Sequence, residues 1–183
     1  MQPYIAMLRG INVSGQKKIK MADLRELLTK AGLKEVQTYI QSGNVIFKHK
    51  PVESQVLENT IEEAIKSHYG FDVPVFVKTP ADLEKALAEN PYLKDETIDP
   101  ARLCFTFLSD EPRDEHIEKL ASYNYAPEEY VLDGTMLYFH SPGGFAKAKM
   151  SNNFFEQKLK VNATSRNCLL YTSDAADDLW CGV

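Results

Sequence analysis

Between Arg9 and Lys20 the chain reads Arg-Gly-Ile-Asn-Val-Ser-Gly-Gln-Lys-Lys-Ile-Lys, with four cations and two glycines in twelve residues. Phosphates and carboxylates are held by backbone N–H groups left open at a turn or helix start, helped by Arg or Lys. Arg9, Gly10, Asn12, Gly15, Lys17 and Lys18 are therefore candidate ligands for a small anion. The spacing matches neither Gly-x-x-x-x-Gly-Lys-Ser/Thr nor Gly-x-Gly-x-x-Gly, so no nucleotide motif is present, and a solvated basic loop is the competing structural reading. Gln41-Ser42-Gly43-Asn44 and Thr164-Ser165-Arg166-Asn167 add polar groups at strand ends. From these, Ser42, Asn44 and Arg166 join the candidate set, Arg166 because its planar fork can grip a carboxylate or phosphate with two bonds. For Ser42 and Asn44 a turn role weighs more than catalysis, since a serine without a paired base is a poor nucleophile.

Other chemistry-bearing residues are scattered. His49, His68, His116 and His140 fall in four different segments without ligand spacing, so neither a metal nor another cofactor is expected. The three cysteines have no paired spacing, and Cys104 sits in an apolar run where a buried, inert thiol is expected. Tyr123 and Tyr125, with Tyr130 near them, could line a pocket or pack under a loop. No catalytic triad can be assembled.

The chain of 183 residues is 44% hydrophobic and 26% charged, which excludes disordered and collagen-like classes. It has no apolar run of membrane-spanning length and no signal-peptide order at its start, so a cytoplasmic location is expected. A formal net charge of −5 argues against a surface dedicated to nucleic acid.

The candidate residues must be positioned by strands and helices, and these follow from periodicity. Tyr4 to Leu8 reads as a strand, followed by the polar loop. Met21, Leu24, Leu27, Leu28 and Ala31 recur at helical spacing and Gly32 stops them. Val36–Ile40 and Val45–Lys48 form a hairpin across Gln41–Asn44. Leu57, Ile61, Ala64 and Ile65 mark a helix with acidic residues at its start, closed by Gly70. Val73–Val77 is a strand with Pro74 at its edge or beginning. Thr79-Pro80-Ala81-Asp82 carries the cap, the N1 proline and the capping-box carboxylate of a connecting helix that runs to about Asn90. After the proline-flanked stretch 91–100 the order restarts. Leu103–Leu108 is a strand with both faces apolar, and His116, Ile117 and Leu120 belong to a short helix. Tyr130–Leu132 and Met136–His140 form a hairpin around Asp133-Gly134, Ser151 caps a helix carrying Phe154, Phe155 and Leu159, and 162–166 is a last strand.

Each half is thus strand, helix, hairpin, helix, strand. The expected fold class is α+β, a tandem duplication of a ferredoxin-like (α/β plait, βαββαβ) unit. Residues 1–79 and 101–167 are the two halves, and 80–100 connect them. Helices on one face of each sheet leave the other needing cover, from the other sheet or from a second copy in a homodimer. Such a half also raises single-stranded RNA binding, but Tyr4–Leu8 and Asn44–Lys48 lack the aromatic signature of RNA-recognition strands.

Residues 168–183 differ in character: three aspartates, no Lys or Arg, and the chain's single Trp. Cys168 to Asp177 is what translation of a common transposase sequencing adapter (Cys-Leu-Leu-Tyr-Thr-Ser) and the primer sequence that usually follows it (Asp-Ala-Ala-Asp) gives. The segment is read as adapter, with the native sequence ending near Asn167; finding these codons in genomic DNA would refute that. Without it the charge is −5 − (−3) = −2.

Leu8-Arg9-Gly10-Ile11-Asn12-Val13, Tyr39-Ile40-Gln41-Ser42-Gly43-Asn44-Val45-Ile46-Phe47 and Thr164-Ser165-Arg166-Asn167 together resemble the bacterial domain-of-unknown-function family 1697, over residues 1–167. The resemblance implies two α/β-plait halves and carries no established activity. Ser14-Gly15 stands where many members have Gly-Gly. The family continues past the position of Asn167 with Trp and a last helix, which this sequence lacks.

Three readings of function follow. The first is a cytoplasmic module whose 9–20 loop, with Arg166, binds a small anion such as a nucleotide or phosphorylated metabolite. The second is an enzyme on such a ligand, with Arg9 and Lys18 stabilising charge and Ser42 or Asn44 orienting it. The third is a structural or interaction protein in which these motifs only fix turns.

Overall fold

The computed structural model describes residues 1–39 and 43–168, which leaves Ser42, and all of the adapter-like segment except Cys168, outside the described residues. The chain divides into two compact units, Met1–Leu83 and a second that begins at Glu84. The first contains β1 (Gln2–Leu8), α1 (Met21–Lys30), β2 (Lys34–Tyr39), β3 (Asn44–His49), α2 (Ser54–Tyr69) and β4 (Val75–Lys78). Helix α3 (Pro80–Ala88) follows, and then β5 (Leu103–Leu108), α4 (Asp114–Ala121), β6 (Glu129–Asp133), β7 (Met136–His140), α5 (Asn152–Leu159) and β8 (Ala163–Asn167).

The two sheets have the same layout. Their orders are β2-β3-β1-β4 and β6-β7-β5-β8, with every neighbouring pair antiparallel. In each, the first strand of the unit lies between its third and fourth. This is the ferredoxin-like βαββαβ arrangement, present twice.

Local physics explains most of the elements. Helix α1 buries Leu24 and Leu28 on one face, and its C-terminus is closed by Ala31 N donating to Leu27 O and Gly32 N donating to Thr29 O. Strand β4 starts at Val75 rather than Val73, because Pro74 has no N–H to give the ladder; its carbonyl accepts from Arg9 N at 2.8 Å. The capping box at α3 closes in both directions: Thr79 N donates to Asp82 Oδ2 at 2.7 Å, and Asp82 N donates to Thr79 Oγ1 at 3.3 Å. In the second hairpin the two loop residues are Gly134 and Thr135, with Gly134 at φ +56°. Between the units' regular elements, Asn90 and Asp99 each cap a short 3-10 turn, at Pro91–Lys94 and Pro100–Arg102.

One expectation is corrected. Helix α2 has no acidic residue in its first turn, and Glu53 at its N-cap makes no side-chain cap bond. The acidic side chains act further along: Glu58 Oε1 accepts from Val77 N at 2.8 Å and Glu62 Oε1 from Val75 N at 2.9 Å. They satisfy outward N–H groups of β4, which is an edge strand. The sequence register that puts Glu58 and Glu62 one turn apart is what lets one helix serve alternate residues of one strand.

Each unit has a core on the helical face of its sheet. Tyr4, Ala6, Leu8, Val45, Phe47, Leu57 and Ile61 are among the buried residues of the first, and Cys104, Leu108, Leu137, Phe155 and Leu159 of the second. The opposite faces are buried too, through Ile5, Met7, Ile46 and Phe76 in one sheet and Leu103, Phe105, Phe107 and Tyr138 in the other. All six residues of β5 are buried, as the apolar pattern on both its faces predicts. Among the described residues no helix is long and apolar enough to cross a membrane.

Candidate functional site

The Arg9–Lys20 loop is held by its own polar groups. Ile11 and Ile19 are buried anchors, 2% and 3% exposed. Between them the Asn12 carboxamide bridges to one residue: its Oδ1 accepts from Ile19 N and its Nδ2 donates to Ile19 O, both at 2.9 Å. Asn12 N donates to Lys17 O at 3.2 Å, and the Lys17 ammonium donates to Asp72 O at 2.7 Å. The tight path takes Gly10, Asn12, Ser14, Gly15 and Lys17 to positive φ. Lys18 is exposed.

The structure brings the β2–β3 turn to this loop. Leu8 N donates to Gly43 O at 2.8 Å, and a Cβ on Gly43 would come within 2.9 Å of Leu8 Cβ and 3.0 Å of Ile11, so only glycine fits at its φ of +83°. Asn44 beside it is 3% exposed and paired in register with Met7. Arg9, Gly10, Asn12, Gly15, Lys17, Lys18 and Asn44 thus share the first unit, whereas Arg166 belongs to the second. Its Nη1 donates to Thr164 Oγ1 and to Ser165 O, both at 2.9 Å.

Among the described residues the second unit has a cavity and a cleft. The cavity, of about 280 Å³, is lined by Cys104, Phe139, Phe145, Ala148, Met150, Phe155 and a polar rim that includes Ser151, Asn152, Ser165 and Asn167. Ser165 Oγ donates to Asn152 Oδ1 at 2.8 Å. A hydroxyl has one proton to give, so Thr106 Oγ1, 2.8 Å away, is the donor to Ser165 Oγ. Asn152 Nδ2 in turn donates to Ala163 O at 3.0 Å, which fixes the rim against β8. Burial pushes the Cys104 thiol up to about 12, so it stays neutral and unreactive at the cavity wall.

The cleft, of about 300 Å³ between α4 and α5, is lined by His116, Lys119, Gln157, Lys158 and Lys160. His116 and Lys119 share a face of α4 at i and i+3 spacing. Lys158 donates to the Tyr123 hydroxyl at 2.8 Å, and that bond holds the phenol below its ordinary value. Its ammonium also lies over the Tyr123 ring at 4.5 Å. Among the described residues Lys119 and Lys160 have no ion-pair partner, and the carboxylate at His116 is Glu115, at 3.7 Å. Lys160 is the left-handed C-cap of α5 at φ +59°, a conformation glycine adopts at lower cost. Tyr123 and Tyr125 stack at 6.1 Å and meet Phe154 edge-on, so these tyrosines pack against α5.

The sequence does not reveal this cleft. His116 and Lys119 show a shared helical face, but Lys158 and Lys160 stand some forty residues away, and only the packing of α4 on α5 unites them. Among the described residues no group of three or more His, Cys, Asp or Glu side chains is placed to hold a metal ion.

Comparison with known proteins agrees with the duplicated fold. In structure the chain is similar to a conserved bacterial protein from Streptococcus pneumoniae, at 28% identity and a TM-score of 0.70, over 93% of this chain and 94% of that one. No curated protein matches it. Residues 1–138 match the sequence profile described as a protein of unknown function, DUF1697. That span takes in the whole first unit and the second through most of β7, so the chain belongs to the DUF1697 family.

Proposed function

We propose that the protein binds a small anionic ligand, of the phosphorylated-metabolite class, in the α4–α5 cleft. The observation that carries this is the meeting of three lysines and a histidine around one concavity of about 300 Å³, without a carboxylate in its lining. Like charges gathered in a cleft repel one another, and an anion seated among them relieves that cost while accepting their N–H groups. Lys158 retains two ammonium protons after its bond to Tyr123. Gln157 adds a carboxamide that can turn either its donor or its acceptor inward. The volume lies at the small end of ligand sites, which favours a compact phosphate or bisphosphate over a polymer. The 9–20 loop is the competing site for the same anion; there the Asn12 and Lys17 side chains already bond the protein itself.

The test is a titration of the full chain with inorganic pyrophosphate, followed by backbone amide shifts. Saturable shifts at 116–119 and 157–160 are expected. In the exposed double variant Lys119→Gln/Lys160→Gln the dissociation constant should rise about tenfold or more, the loss of two charge-assisted hydrogen bonds. Shifts confined to 9–20 would return the site to that loop, and unchanged affinity in the double variant would refute the cleft.

A further inference from the structure

The side chains that line the α4–α5 cleft are not equivalent in their response to pH. Lysine keeps its charge throughout the physiological range and a carboxamide has none, whereas histidine changes charge between about pH 5 and pH 8. Among the described residues lining the cleft, His116 is therefore the one whose chemistry turns over near neutrality. A neutral imidazole has one N–H to give and one lone pair that an anion avoids. An imidazolium donates from both nitrogens and adds a full positive charge.

The groups that face His116 decide the direction of the effect. On its own helix Lys119 stands one turn further on, and Glu115 Oε1 lies 3.7 Å from His116 Nε2. That carboxylate is 67% exposed against 23% for the His116 side chain, and it also lies 3.8 Å from Arg113 Nη1, so water and a second cation share its charge. Helix α5 contributes Gln157 and the ammonium groups of Lys158 and Lys160. The Tyr123 phenol, just past the end of α4, is tied to Lys158 at 2.8 Å, and that bond holds it below its ordinary value. In an empty cleft, charging His116 adds a fourth cation to three. A seated dianion reverses that cost, because the new N–H and the new charge both act on it. Anion and proton thus favour each other, by the reciprocity of linked binding.

We infer that His116 makes the cleft a proton-linked site, which holds a dianion tightly while the imidazole is charged and releases it as the imidazole loses its proton. The inference rests on the cleft reading above and adds the condition under which the cleft fills and empties. Lys119, Lys158 and Lys160 supply the constant part of the attraction, and His116 supplies the part that answers to pH.

Phosphate esters gain a proton of their own near the same pH, so the probe is sulfate, whose double negative charge is constant there. The full chain is titrated with sulfate at the two ends of the histidine range and one ionic strength, followed by backbone amide shifts at 116–119 and 157–160. Between about pH 5 and pH 8 the dissociation constant should rise about tenfold, the difference between a charge-assisted and an ordinary hydrogen bond. Calorimetry at neutral pH in two buffers of different ionisation enthalpy should show that binding takes up protons. His116→Gln should bind weakly at both ends of the range with no proton uptake, and His116→Lys, which fixes the charge, should bind tightly at both. Glu115→Gln should keep the pH dependence. A dissociation constant independent of pH, or a dependence that survives His116→Gln or vanishes in Glu115→Gln, would overturn the proton linkage while pyrophosphate binding in the cleft still stood. Absence of shifts at these residues from both sulfate and pyrophosphate would overturn the linkage and the cleft together.

Discussion

Replacing Asn12 by alanine removes both hydrogen bonds that close the basic loop. The carboxamide gives and receives one bond at Ile19, each 2.9 Å long, next to a side chain 3% exposed. At about 0.5–1.5 kcal/mol net for each bond, the pair contributes about 1–3 kcal/mol. Residue 12 also sits at φ +56°, where asparagine is tolerated and alanine is about 1 kcal/mol worse. Asn12→Ala should therefore destabilise the protein by about 2–4 kcal/mol, and Asn12→Gly, which frees the backbone but loses the same bonds, by about 1 kcal/mol less. Urea unfolding of the three proteins, read by far-UV circular dichroism, gives these differences, and amide exchange at Ile19 localises them. A loss below about 0.5 kcal/mol for Asn12→Ala, the range of an ordinary surface change, would refute the clamp and leave the carboxamide available to a ligand.

Two further predictions concern titrating groups. Burial holds the Glu58 carboxyl above its ordinary value despite the bond it accepts from Val77, so the folded state binds its proton more tightly than the unfolded chain. Stability from this group is then lost as pH rises from the ordinary glutamate value through the raised one; Glu58→Gln keeps an acceptor for Val77 and should flatten that slope, and an unchanged stability–pH profile would count against it. Lys158→Met removes the hydrogen bond that lowers the Tyr123 phenol, so its titration, followed by the ring carbon chemical shift, should move upward toward the ordinary tyrosine value. A Tyr123 titration that stays in place would show that Lys158 does not hold the ring in solution.

The duplicated plait is legible in the sequence because its signals are local. The apolar spacing of Leu24 and Leu28, the Thr79–Asp82 box, Gly134 in its hairpin and Ser151 at the start of α5 each act within a few residues, and each takes effect where it stands. Pro74 marks an edge strand for the same reason: a missing N–H is a property of one residue. The acidic side chains of α2 were harder to place, because Glu58 and Glu62 serve a strand more than ten residues further on rather than the helix start.

Candidate chemistry was less legible. Composition drew attention to Arg9–Lys20, yet composition does not show whether a polar group faces solvent or its own backbone, and Asn12 and Lys17 bond the protein itself. The Thr106–Ser165–Asn152 chain joins β5, β8 and α5, and the basic cleft joins α4 to α5, across separations that no residue spacing encodes. By itself the sequence determined the order of elements, the two repeats and the buried faces of β5, since periodicity and turn chemistry act over one or two turns of chain. The tertiary structure alone decided which polar groups are spent on the fold and which side chains converge on a cavity, because convergence depends on helix and strand packing between residues distant along the chain.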